Sequence, residues 1–395
     1  MSTIVIRALT EFEERAGVVH RVGAYAFEPS PPLVPRENWE RWLRNVPDAT
    51  ILAAFEGGQA VAISCSSPFT QNVRGQIWPM SGIWGVATLP GARRNGHIRR
   101  LMADLLRRGY EEGMPVTCLY PFRPSFYERM GYVSFPQPRM AKIDPRPLAP
   151  LLRMSLGGTV ELLPIKDGHA IYRAYILAQQ QRIHGMAVCS EPAALNEASR
   201  DHWLAVARVA GEPAGAMIYT ISGEEDRRVM RVHRFYTHTA AGLYLLLEWF
   251  ARHIDQVEHV EVRLPPAELP ETWWPDLATL KTERLWPPMG RVLDVARLGG
   301  MAAGTGRFTA RLSDPLCPWN EGIWTFAGEG GSLTVTPAAG TPECTLTIQG
   351  LSALVYGAHD PALFAMLGWG DPAPEVQAVM RAIFPAQLPY LHEEF

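Results

Sequence analysis

Along the first 135 residues the apolar positions change period from two to about 3.6 and back. Residues 4–7 read as a short strand, and residues 10–27 have helical spacing. The apolar runs ILAAF (51–55) and AVAISCSS (60–67) flank Glu-Gly-Gly and predict a hairpin. Residues 82–88 form another apolar strand, followed by a loop rich in Gly and Arg. Ile98, Leu101, Met102, Leu105 and Leu106 then recur at i, i+3, i+4, i+7 and i+8, the single buried stripe of an amphipathic helix. Gly109 and Gly113 suit its end. PVTCLY (115–120) reads as the next strand and residues 125–130 as a short helix. Strands and helices alternate as in an α/β fold.

Residues 145–150 hold three prolines in six positions and read as a linker. The same plan then recurs. HWLAVARVAGEPAGAMIYTIS (202–222) is a hairpin around Gly-Glu-Pro, RVMRVHRFYTH (228–238) a strand, and residues 243–253 a helix with Leu246, Trp249 and Phe250 inward. HVEVRLP (259–265) is a further strand, so the second stretch repeats the first. WPPMG (286–290) reads as a second junction. After it, RVLDVARL, GRFTARLSD, IWTFAGEGGSLTVTP and ECTLTIQG alternate as strands do, and residues 351–356 and 361–368 are helical. The expected domains are 1–147, 148–288 and 289–395.

Composition narrows the function. Of 395 residues, 47% are hydrophobic and 19% charged, a globular balance without disorder. The net charge of -3 is spread without a basic stripe, so neither nucleic acid nor a membrane surface is an expected partner. No apolar run approaches the roughly 20 residues of a membrane span, and MSTIVIRALTEFEERAG lacks the pattern of a signal peptide. Cys65, Cys118, Cys189, Cys317 and Cys344 contain no CxxC pair, so neither a zinc cluster nor a redox motif is expected, and their odd number fits a reducing, cytoplasmic setting. His233 and His238 have the wrong spacing for one helical face and no acidic partner, so no metal site is expected.

The chemistry begins at GVATLPGARRNGHIRRLM (85–102), which reads strand, loop, helix. A helix N-terminus offers unsatisfied N–H groups and a partial positive charge. A pyrophosphate can sit there if the backbone comes close, which Gly96 permits. Arg93 and Arg94 add positive charge. The matching connection in the repeat, FYTHTAAGLYLL (235–246), has no Arg-x-x-Gly, so only the first copy is expected to bind cofactor. The loop resembles the acetyl-CoA loop of GCN5-related N-acetyltransferases (the GNAT superfamily), Arg/Gln-x-x-Gly-x-Gly/Ala, with Ile98 where Gly or Ala is preferred. The resemblance implies acetyl-CoA as co-substrate, no metal, and a pantetheine arm along Val86, Ala87 and Thr88. The implied cofactor set continues through Arg93, Arg94, Asn95, Gly96, His97, Ile98 and Arg99, and includes Phe122.

Phe126-Tyr127-Glu128-Arg129-Met130-Gly131-Tyr132 matches an F-Y-x-x-x-G-Y mark common in these enzymes. Acetyl transfer to an amine expels a thiolate, which a positioned phenol can protonate. Tyr127 is the candidate general acid; Tyr132 reads as a core aromatic.

Two GNAT-like units, the second without a cofactor loop, followed by an α+β domain similar to sterol carrier protein, is the layout of the enhanced intracellular survival (Eis) acetyltransferases. The resemblance covers the whole chain and includes MGRVLDVARL (289–298), LSDPLCPWNEGIW (312–324) and LSALVYGAHDPALFAMLG (351–368). In that family the C-terminal carboxylate is the general base, a role that falls here on Phe395 at the end of PYLHEEF. A free α-carboxylate has a pKa of about 3.5, and Glu393 and Glu394 beside it would raise that value. The resemblance further implies acetylation of primary amines on polycations (aminoglycosides, polyamines or protein lysines) and a homo-oligomer, hexamers being among the family's assemblies. Two rival readings are a lipid-binding protein built on the third domain and a CoA-sensing protein without turnover. Intact Tyr127 and Phe395 favour the enzyme.

Overall fold

The computed structural model describes residues 4–28, 30–224, 227–277, 279–284, 286–393 and 395, with side chains for all of these except 192 and 279–284. The chain divides into two compact units, one of Met1–Phe135, His184–Ala193 and Pro288–Phe395, the other of Pro136–Ile183 and Ala194–Pro287.

The first unit opens with β1 (Ile4–Ala8), α1 (Phe12–Phe27) and α2 (Arg36–Arg44), then the meander β2 (Thr50–Glu56), β3 (Gln59–Val73) and β4 (Gln76–Thr88). Gly57 and Gly58 join β2 to β3 with φ of 55° and 77°, the left-handed pair that a two-residue hairpin turn requires. Next come α3 (His97–Glu111), β5 (Val116–Leu119), α4 (Pro124–Glu128) and β6 (Val133–Ser134). The predicted stripe of α3 is buried at Leu101, Met102, Leu105 and Leu106.

The second unit takes β7 (Arg139–Ile143), β8 (Gly158–Pro164) and α5 (Ile165–Gln180). β9 (Ala187–Cys189) pairs antiparallel with β3 of the first unit, and α6 (Glu191–Ala198) follows. The second unit then adds β10 (Trp203–Val209), β11 (Glu212–Ser222), β12 (Val229–Thr237), α7 (Ala240–Ala251), β13 (His259–Leu264) and β14 (Thr279–Arg284). Its sheet runs β14-β7-β13-β12-β11-β10-β8.

The first unit resumes with β15 (Met289–Val292) and continues through β16 (Gly306–Ser313), β17 (Gly322–Glu329), β18 (Ser332–Pro337), β19 (Cys344–Thr347), α8 (Ile348–Tyr356), α9 (Phe364–Leu367) and α10 (Pro374–Ile383). These last strands form a four-stranded sheet, β18-β17-β16-β19. The larger sheet of this unit runs β1-β2-β3-β4-β5-β15-β6.

Both proline-rich junctions differ from the sequence reading. The stretch read as a linker at 145–150 lies in a 3-10 helix, Arg146–Arg153, whose Leu148 and Leu151 are fully buried beside Leu245 and Phe250 of α7. The apolar positions hidden between the prolines outweigh the proline signal. WPPMG is only in part a junction, because Met289 and Gly290 begin β15, which inserts antiparallel between β5 and β6. β7, inside the expected segment 1–147, lies in the second unit's sheet, and β15, inside 289–395, lies in the first sheet.

One core therefore serves both ends of the chain. Phe69, Val116 and Val133 share it with Phe308, Leu351 and Tyr356. The LSDPLCPWN segment locks this join. Arg291 of β15, with no exposed surface, ion-pairs with Asp314 at 2.5 Å and donates to the Met130 carbonyl. Asn320 donates to Asp314 Oδ2 at 2.9 Å and to the Leu293 carbonyl at 3.0 Å, and Trp319 stacks on Tyr110 of α3 at 4.5 Å. Among the described residues no helix is long and apolar enough to cross a membrane, and no group of three or more His, Cys, Asp or Glu is placed to hold a metal ion.

Candidate active site

β4 and β5 run parallel but pair over only four positions, from Met80↔Val116 to Ile83↔Leu119. β5 then ends while β4 continues through Thr88. Among the described residues no strand pairs with that side of β4 from Trp84 onward. On its other side β4 carries a bulge: Trp84 pairs with Cys65 and Ala87 with Ile63, so Gly85 and Val86 stand opposite Ser64 alone. Gly85 has φ of 61°, and a Cβ there would come 3.0 Å from the Cys65 sulfur, so the bulge calls for glycine. The result is a strand edge with free N–H and C=O groups, suited to an extended amide-bearing arm.

The edge leads into the Arg-rich loop before α3. Pro90–Ala92 make a 3-10 turn, Arg93 Nε donates to the Thr88 carbonyl at 3.3 Å, and Arg94 adopts φ of 67°. Gly96, at φ 77°, is the N-cap of α3, and no side chain caps the helix. A Cβ on Gly96 would meet nothing within 4 Å, so the loop backbone here is open to close approach. The helix carries no acidic residue in its first turn. The repeat in the second unit closes the equivalent position. The Thr239 hydroxyl accepts from Gly242 N–H at 3.0 Å, a Cβ on Gly242 would collide with the Ala214 carbonyl, and Phe235 stacks on Trp273 at 5.8 Å.

A cavity of about 840 Å³ lies along the edge and the loop of the first unit. It brings together Val86, Ala87 and Thr88 with Arg93, Arg94, Gly96, His97, Ile98 and Arg99. Phe122, Tyr127 and Phe395 line it too; Asn95 does not. Tyr127 is 3% exposed within an aromatic cluster of Phe122, Phe126 and Tyr132. Burial pushes its phenol above the ordinary tyrosine value, so it holds its proton. Among the described residues no hydrogen bond engages its hydroxyl. Tyr132 is fully buried with its hydroxyl 3.2 Å from Thr117 Oγ1, a core residue as expected.

A second cavity, about 360 Å³, shares Phe27, Trp84, Gly85 and Phe395 with the first. The sequence reading missed this pocket and its helix α2. RENWERWLR looks uniformly polar, and the signal it offered was the spacing of Trp39 and Trp42, which puts both on one helical face.

Phe395 is seated at the join. Its ring lies 4.8 Å from Phe69 and 5.7 Å from Tyr120. The closeness demands glycine at 82, where a Cβ would come 2.7 Å from Phe69 and 3.0 Å from Phe395. The tail leading to it is pinned by Tyr120 Oη, which donates to the Leu391 carbonyl at 3.2 Å, and by Tyr390 N–H, which donates to the His184 carbonyl at 2.8 Å. Gly185 (φ 84°) lets the tail pass, because a Cβ would come 2.7 Å from Tyr390 N. Glu394 lies outside the described residues.

Residues 5–134 match the family model of an acetyltransferase (GNAT) domain, residues 189–297 that of a second acetyltransferase (GNAT) domain, and residues 292–392 that of a sterol carrier protein domain. The chain carries two acetyltransferase domains and a sterol carrier protein domain. Its domain content is that of an N-acetyltransferase, and the Eis-like layout expected from the sequence is the layout found. In fold it is similar to a GCN5-related N-acetyltransferase from Kribbella flavida, at 22% identity over 100% of this chain and 99% of that one, with a TM-score of 0.83. A GCN5-related N-acetyltransferase from Anabaena variabilis ATCC 29413 gives 18%, 99%, 100% and 0.83 for the same measures. Eis1 from Mycobacterium abscessus gives 19%, 99%, 100% and 0.75. No curated protein matches the sequence.

Proposed function

We propose that the protein transfers the acetyl group of acetyl-CoA to a primary amine, with the Phe395 α-carboxylate as general base and Tyr127 as general acid. The observation that carries this reading is the seat of Phe395, which lines both cavities, while Tyr127 lines the larger.

The uncapped start of α3, with Arg93, Arg94 and Arg99 around it, suits a pyrophosphate. The free edge of β4 at Val86–Thr88 suits the amides of a pantetheine arm. Acetyl-CoA supplies the acyl thioester. The amine enters by the smaller cavity as an ammonium ion, and the Phe395 carboxylate takes one of its protons. The amine nitrogen forms its bond to the acyl carbon as the carbon–sulfur bond breaks. N–H groups at the Gly85–Val86 bulge would favour charge on the acyl oxygen. Tyr127 gives its proton to the departing sulfur; the nitrogen sheds its second proton as the acetamide forms, that proton restores the Tyr127 phenol through solvent, and the Phe395 carboxyl releases the first to solvent, leaving the acetamide and CoA thiol.

The test is CoA thiol release from acetyl-CoA with a panel of amines, for the native chain and for a version with one glycine added after Phe395. Native activity that drops about 10²-fold or more in the extended version supports both the reaction and the base. Equal activity in both versions removes Phe395 from the mechanism. Absence of thiol release with every amine rejects the transferase reading.

A further inference from the structure

We infer that Gln71 is a positioning residue for the terminal base: its side-chain amide ties the sterol carrier protein domain to the turn at His184–Gly185 on which the last residues of the chain are seated. This rests on the acetyl-transfer reading and gives the buried polar groups behind Phe395 a part in it.

Gln71 lies on β3, two residues after Phe69, and has no exposed surface. An amide buried there without partners would be costly. Its Nε2–H donates to the Gly185 carbonyl at 3.0 Å, and its Oε1 accepts from Tyr356 Oη at 2.9 Å. The orientation is forced. A carbonyl oxygen can only accept, so the amide nitrogen faces Gly185 and the amide oxygen is left for the phenol. Burial pushes the Tyr356 phenol well above its ordinary value, so it keeps the proton it donates. Tyr356 is the last residue of α8, within the sterol carrier protein domain. Cys118 Sγ of β5 lies 3.3 Å from Nε2 and closes the site.

What Gln71 holds is a glycine between two peptide planes. The first plane joins His184 to Gly185. Its N–H donates to the Asn72 carbonyl at 2.7 Å, and its C=O accepts from Tyr390 N–H at 2.8 Å. The second plane joins Gly185 to Met186, and its C=O is the one that Gln71 engages. Gly185 has φ of 84°, and glycine turns more freely about its backbone bonds than other residues. Gln71 removes that freedom and so fixes the plane that carries the tail. From Tyr390 the tail runs to Leu391, held by Tyr120, and on to Phe395, whose ring meets Phe69 on the same strand as Gln71. The sterol carrier protein domain thereby helps to set where the base stands. Placement matters to the reaction, because a shift of about 1 Å in a reacting group can cost about 10²-fold.

The experiment compares the full chain with Gln71→Met by two readouts: hydrogen-exchange mass spectrometry of the C-terminal peptide holding Tyr390, and kcat and KM for CoA thiol release. The variant is expected to exchange at least tenfold faster at the C-terminus, with α3 unchanged, and to lose about tenfold or more in kcat at constant KM for acetyl-CoA. In a chain extended by one glycine after Phe395 the same substitution should cost no further kcat, since the base is already displaced. A merely structural role would give losses that add. Should Gln71→Met not fold, Tyr356→Phe serves: it removes one hydroxyl and should give the same pattern at severalfold size. Native exchange at the C-terminus overturns the inference, as does an additive loss in the extended chain. Absence of thiol release from the native chain with every amine rejects the acetyl-transfer reading instead, and the exchange rates still decide whether Gln71 seats the tail.

Discussion

The Tyr120 hydroxyl donates a 3.2 Å hydrogen bond to the carbonyl oxygen of Leu391, four residues before Phe395. Its ring also flanks the Phe395 ring. Tyr120→Phe keeps the ring and removes the donor. A hydrogen bond of this kind contributes about 1 kcal/mol, so kcat should fall severalfold, to about tenfold at most, while the urea midpoint barely moves. Combined with the added C-terminal glycine, the variant should cost nothing more, since both act on one carboxylate. Additive losses would show that Tyr120 acts elsewhere.

Tyr127→Phe removes the proposed acid. The expected result is a fall in kcat of about 10²-fold or more with unchanged acetyl-CoA affinity. Burial holds the native phenol above its ordinary value near 10. The pH profile of kcat should therefore stay level on the alkaline side up to pH 10. A descending limb below that, assigned to Tyr127 by a phenolate absorbance titration, would contradict the role.

Asp314→Ala leaves the Arg291 guanidinium charged and unpaired in a site with no solvent access. Removing one partner of a buried pair costs about 3–5 kcal/mol. Urea unfolding should report a loss of that size. Arg291→Met combined with Asp314→Leu should recover much of it, because no lone charge is then buried. A single variant with native stability would mean that the ion pair does not hold the join.

His184 gives stability a defined pH dependence. Its Nδ1 accepts from Arg74 N–H at 3.1 Å and its Nε2 lies 3.0 Å from the Tyr356 carbonyl, which fixes a neutral ring. Burial, with Arg74 adding to it, pulls its pKa from 6.5 to about 4. The unfolded chain takes up a proton near pH 6.5 that the folded chain refuses until about pH 4. Stability is thus full above 6.5 and declines as pH falls through that window, by roughly 3 kcal/mol in all. Urea midpoints measured from pH 7.5 to 4.5 should show this slope, and His184→Gln should flatten it. An unchanged slope in the variant would assign the effect to other groups.

The sequence made the strand–loop–helix around Gly96 legible because its signals are local. A helical stripe at Leu101–Leu106 spacing, an Arg-rich loop and Gly96 lie within a dozen or so residues; the stripe is buried, and Arg93, Arg94 and Gly96 line the larger cavity. Tyr127 was equally accessible, since it follows β5 directly. The smaller cavity was hidden because it is assembled from α1, α2, β4 and the last residue. Trp39 and Trp42 sit among charged neighbours that keep α2 from reading as a partly buried helix. The strand β15 was masked by the two prolines before it, and no periodicity within four residues could reveal that its partners lie at 116–119. Long-range pairing leaves no local imprint.

The insertion of β15 between β5 and β6 also sets a timetable for synthesis. Ribosomes deliver β5 and β6 early, yet the strand that separates them is translated about 170 residues after β5. At about 5–20 residues per second, the nascent chain carries two unfilled strand edges for on the order of ten seconds or more. Throughout that interval the central gap of the sheet is open to pairing with another emerging chain, so slowed translation between residues 135 and 289 is where misassembly of this protein would begin.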